Sequence, residues 1–62
     1  MNLLYIDSLK TVVNLDQLVK TKWIEDGALL LIFTKGEELI EDKESAKEVF
    51  DRLRNLSFVY VV

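Results

Sequence analysis

Leu18-Val19-Lys20-Thr21-Lys22-Trp23-Ile24-Glu25-Asp26-Gly27-Ala28-Leu29-Leu30-Leu31-Ile32-Phe33-Thr34 is the stretch on which the whole arrangement depends. Two runs rich in β-formers flank Asp26-Gly27. Asp-Gly between such runs is a strong type I′ hairpin signature, because both turn residues take positive φ. A two-residue loop sets Trp23 opposite Leu30, Thr21 opposite Ile32, Ile24 opposite Leu29, Lys22 opposite Leu31 and Lys20 opposite Phe33. Lys35-Gly36 marks a second, weaker turn leading into residues 37–41, with Leu39 beside Ile32 and Ile40 beside Leu31.

Cross-strand partners share a face, since side chains alternate with period two. That register collects Val19, Thr21, Trp23, Ala28, Leu30, Ile32 and Leu39 on one face. Ile24, Leu29, Leu31, Phe33 and Ile40 fall on the other, edged by Lys20, Lys22 and Glu38. Both faces are apolar. Upstream, residues 3–6 and 11–15 are shorter β candidates separated by Asp7-Ser8-Leu9-Lys10.

After the strands, residues 43–55 read as a helix. Ala46, Val49, Phe50 and Leu53 recur at i, i+3, i+4 and i+7, one buried stripe. Asp42 suits the N-cap, where its carboxylate accepts from orphan amides and complements the helix dipole. Ser45-Ala46-Lys47-Glu48 offers a competing capping box one turn later. Asn55 is suited to ending the helix. Glu48 with Arg52 and Asp51 with Arg54 are favourable surface pairs. The closing run Ser57-Phe58-Val59-Tyr60-Val61-Val62 is β-rich and uncharged, and internal pairing is its plainest use; as an open edge it would invite another chain.

The expectation is a single domain over residues 1–62 of class α+β: a small antiparallel sheet of four to five strands with one helix on one face, in the order β-β-β-β-α-β. A lone helix covers one face. Ile24, Leu29, Leu31, Phe33 and Ile40, with Lys20, Lys22 and Glu38 around them, are therefore the expected interface. Two other arrangements satisfy the same pattern. The N-terminal run Leu3, Leu4, Tyr5, Ile6 can fold back over that face, or the register can differ by one residue and exchange the faces.

Composition narrows the chemistry. The 62 residues hold no His, no Cys and no Pro, and two Gly. Zinc sites and the nucleophiles that depend on thiol or imidazole lose their usual residues, and no glycine-rich loop cradles phosphate. The pairs Glu37/Glu38 and Glu41/Asp42 resemble an acid–base or hard-cation set only in composition, because adjacent strand residues point to opposite faces. No catalytic residue, metal or cofactor is expected, and the chain reads as non-enzymatic.

Eleven acids against eight bases give a net charge of −3, with seven of the acids in residues 37–51. That balance argues against broad contact with nucleic acid or an anionic membrane. Trp23 is not a base-stacking platform beside Lys20 and Lys22, because alternation turns it to the opposite side of the strand. The longest apolar run, residues 28–33, is far short of the roughly 20 needed to span a bilayer. The opening Met-Asn-Leu-Leu-Tyr-Ile-Asp lacks the basic segment of a secretory signal. The chain reads as soluble and cytoplasmic. A domain of about 60 residues buries a modest share of its surface, and without disulfides or metal, association is the remaining source of stability.

The order Val-Val-Asn-Leu-Asp, a paired strand, Phe-Thr-Lys-Gly and then Glu-Ser-Ala-Lys-Glu-Val opening a helix is similar in layout to small flagellar FlbD-type proteins, from residue 12 to about 53. The matching positions are apolar periodicity, one turn glycine and the helix start, and no function is taken from them. The functional expectation is a protein-interaction module that works as a homodimer or larger assembly through an apolar sheet face. The alternative is a small regulatory or phage-type protein that binds a different protein through its open face or edge strand, and nucleic-acid binding stands third.

Overall fold

The connection at Asp26-Gly27 takes the expected backbone but is one residue longer. In the computed structural model, which describes residues 2–56, Asp26 and Gly27 have φ of 67° and 77°. Glu25 joins them, so three residues link the strands and Ile24 pairs with Ala28. Trp23 then lies opposite Leu29, Lys22 opposite Leu30, Thr21 opposite Leu31 and Lys20 opposite Ile32. This corrects the two-residue register by one position, which exchanges the face of β4 (Ala28–Phe33) that each residue of β3 (Leu18–Ile24) joins.

A second irregularity sits at the other end of β3. Leu18 pairs with Phe33 and Lys20 with Ile32, leaving Val19 as the extra residue of a β-bulge. The bulge lets Leu18 share the face of Thr21 and Trp23 although its sequence parity matches Lys20. Val19 itself is 62% exposed.

The turn from β4 to β5 (Gly36–Ile40) differs from expectation by two positions rather than one. Phe33 pairs with Gly36 across Thr34-Lys35, so Leu39 lies beside Leu30 and Ile40 beside Leu29. A shift of two leaves every side chain on its expected face. Gly36 has φ of 144°, a conformation that only glycine adopts without strain. The Thr34 amide donates to the Gln17 carbonyl at 3.0 Å and its hydroxyl meets Gln17 Oε1 at 2.7 Å, tying this turn to the approach to β3.

The chain is α+β with antiparallel sheets, but its strands divide into two. β1 (Leu3–Ile6) and β2 (Thr11–Asn14) form a separate hairpin beside the three-stranded sheet β3-β4-β5. A 3₁₀ turn at Leu15–Gln17, capped by Asn14 Oδ1 accepting from the Asp16 amide at 3.0 Å, separates β2 from β3. The single sheet expected from sequence is thereby broken. The final run, 57–62, lies outside the described residues.

The helix α1 spans Lys43–Leu56. Asp42 caps it as expected: its Oδ2 accepts from the Ser45 amide at 2.9 Å, and its carbonyl accepts from the Ala46 amide at 2.8 Å. The rival capping box at Ser45 is not used, and the Ser45 hydroxyl instead meets that of Ser8 at 2.8 Å. Asn55 lies within the helix rather than ending it. Ala46, Val49 and Leu53 are buried, and Phe50 packs tilted against Trp23 with ring centroids 5.1 Å apart.

The core lies between α1, the β1–β2 hairpin and one face of the three-stranded sheet. Leu29, Leu31 and Ile40 come from the sheet, Ala46, Val49 and Leu53 from the helix, and Ile6 and Val13 from the hairpin. Leu18 and Phe33 pack at its margin. The hairpin's register keeps Leu4, Ile6 and Val13 on this side and turns Leu3, Tyr5 and Val12 outward. A hydrogen bond from the Leu15 amide to the Asn2 carbonyl, 2.7 Å, holds the hairpin's open end.

Candidate interaction surface

The face of the three-stranded sheet turned away from α1 is built by the register just described. β3 contributes Lys20, Lys22 and Ile24, β4 contributes Ala28, Leu30 and Ile32, and β5 contributes Glu37 and Leu39. Ile24 and Leu39 are 40% and 39% exposed, Leu30 and Ile32 are half-buried, and the three charged residues are exposed. Ala28 is small enough to be buried between its neighbours. None of these apolar side chains joins the core cluster of the opposite face.

The residues expected at the interface are therefore divided between two environments. Leu29, Leu31 and Ile40 are fully buried beneath the helix and hairpin, and Phe33 is half-buried against the same core. They do not share an open face. Ile24, Lys20 and Lys22 lie on the outer face, with different β4 neighbours from those expected. Glu38 pairs with Leu31 and so belongs to the inner face, at its margin. There it lines an open depression of about 540 Å³ with Val13, Gln17, Phe33 and Lys35.

The two-residue register puts Leu30, Ile32 and Leu39 on the face of Trp23, opposite the expected interface, whereas they lie on the side away from Trp23. The alternation along β3 and along β4 was legible separately. What joined them was the length of the loop, and nothing in Glu25 itself distinguishes a loop residue from the last residue of a strand. The separation of Trp23 from Lys20 and Lys22 follows from alternation within β3 alone, and the structure has it: Trp23 sits on the helix side, the lysines on the other.

The electrostatics of the outer face are simple. Lys20 and Lys22 stand on β3, an outer strand of the three-stranded sheet, and Glu37 stands on β5 at the opposite margin. Lysines and a bulge on an outer strand discourage pairing of its backbone with another chain. Glu37 and Glu38 fall on opposite faces. Among the described residues, no group of three or more His, Cys, Asp or Glu is gathered so as to hold a metal ion, and no helix is long and apolar enough to cross a membrane. Compared with family models, with curated proteins and with solved structures, the chain matches none.

Proposed function

We propose that the chain is a non-enzymatic protein-interaction module that self-associates through the outer face of the three-stranded sheet. The observation that carries this reading is the continuous apolar stripe of Ile24, Leu30, Ile32 and Leu39, which lies outside the core that the helix and hairpin close. A contiguous apolar patch rimmed by charge is the pattern of an interaction surface. The charges at its edges set register and limit indiscriminate sticking. Nucleic acid is a poorer occupant, because the aromatic ring that would stack on bases is on the opposite side of β3 from the lysines.

Light scattering over a wide concentration range tests the reading. A mass near twice the 7.2 kDa of one chain is expected at high concentration. Leu30→Glu and Ile32→Glu should each return a folded monomer, whereas Leu31→Glu, one residue away but fully buried, should lose the fold. A native chain that stays monomeric throughout would sink self-association and leave the face to a different protein.

A further inference from the structure

The pairing registers order the outer face into rows that cross the three strands. Lys20, Ile32 and Glu37 form one row, Lys22, Leu30 and Leu39 the next, and Ile24 with Ala28 the third. Positive charge runs along β3, apolar side chains fill β4, and Glu37 stands on β5 level with Lys20. Granted the self-association proposed above, on which this step rests, we propose that a second copy of the chain stacks on this face about a two-fold axis parallel to β4. Lys20 of each copy then faces Glu37 of the other.

Two orientations of a two-fold axis keep these faces together. An axis along the strands preserves height along each strand and exchanges left with right. It lays β3 of one copy over β5 of the other, so Ile32 meets Ile32 and Leu30 meets Leu30. Lys22 lays its aliphatic stem over Leu39, with its ammonium free to reach water. An axis across the strands instead lays β3 over β3 and gathers the four lysines of the two copies at one margin, with no acid between them. The charge pattern therefore selects the first. Stacked sheets lie about 10 Å apart with strands within about 30° of each other, a gap that Lys and Glu at the rim span between them. Joining copies through the β3 edge is opposed by the same lysines and by the Val19 bulge.

Charge reversal tests the axis. Lys20→Glu alone sets Glu against Glu twice in each dimer, and Glu37→Lys alone sets Lys against Lys twice. Each should need about tenfold more protein to dimerise at low salt, with an unchanged circular dichroism spectrum because both positions are exposed. Mixing the two variants should give the mixed dimer well above its statistical share by native mass spectrometry, since both pairs across that interface are then opposite in sign. Lys20→Glu/Glu37→Lys together should dimerise within a few-fold of the native chain. Variants that dimerise like the native chain and mix at random would overturn the axis while leaving self-association standing. Single-variant losses with no mixed-dimer preference would also overturn it, because an effect within one chain cannot select a partner. A native chain that never dimerises removes the underlying reading and the axis together.

Discussion

Leu30 and Leu31 are neighbours in the chain with opposite surroundings: Leu31 is fully buried among helix and hairpin side chains, Leu30 half-buried on the outer face. Truncating a buried leucine removes its transfer free energy and leaves a cavity, about 2–5 kcal/mol in all. A domain of this size has a stability of about 3–9 kcal/mol, so that loss is a large fraction of the total. Leu31→Ala should therefore shift the urea midpoint drastically or unfold the chain, and Leu30→Ala should cost well under half as much under dilute, monomeric conditions. Equal losses at the two positions would contradict the face assignment. Gly27 is constrained differently. Its φ of 77° strains any L side chain, and a Cβ there would come within 3.3 Å of the flexible Lys43 side chain, so the backbone term dominates.

The helix was legible at the scale of the element because everything that makes it is local. The 3.6-residue stripe Ala46, Val49, Phe50, Leu53 and the cap at Asp42 lie within a dozen residues, and the structure keeps them with a one-residue difference at the end. Asp42→Ala should remove the bond to the Ser45 amide and cost about 1 kcal/mol in thermal or chemical unfolding, while Asp42→Asn should retain most of it. A cost near zero for the alanine would mean that water or another group replaces the cap. The strands were legible as strands, and their turns as turns. Their pairing was not, because register is a relation between two segments and depends on the number of residues between them. The loop residue Glu25 changed which β3 side chains share the face of Leu29, Leu31 and Ile40. That face is buried by the helix together with the N-terminal hairpin, the fold-back of residues 3–6 that the sequence also allowed. The division into two sheets was hidden for a similar reason. Leu15-Asp16-Gln17 carries neither Gly nor Pro, and although Asn14 caps its 3₁₀ turn locally, the backbone bonds at the turn's two ends are shared with Asn2 and Thr34, at distant points of the sequence.

For the whole molecule, the thin core makes stability and assembly difficult to separate. A partner that binds only the folded form stabilises it by mass action, so the melting temperature of a self-associating chain rises with its own concentration. The native protein should melt several degrees higher at millimolar than at low micromolar concentration, and Ile32→Glu should melt at one temperature throughout. Flat behaviour of the native chain would locate the outer face's use elsewhere. The layout of β3 and β4 also changes what counts as the underlying unit of this fold. Set Val19 and Glu25 aside, and what remains is a regular hairpin: Asp26-Gly27 closes it as a two-residue loop, and every pair from Leu18 with Phe33 to Ile24 with Ala28 keeps its place. β3 and β4 are thus a plain ribbon carrying two supernumerary residues, one at the tip and one near the base. Counting along the chain registers both, whereas the ladder of paired strands skips over them: the extra residue at the tip reverses which β4 side chains each β3 residue joins, and the one near the base reverses it back for Leu18.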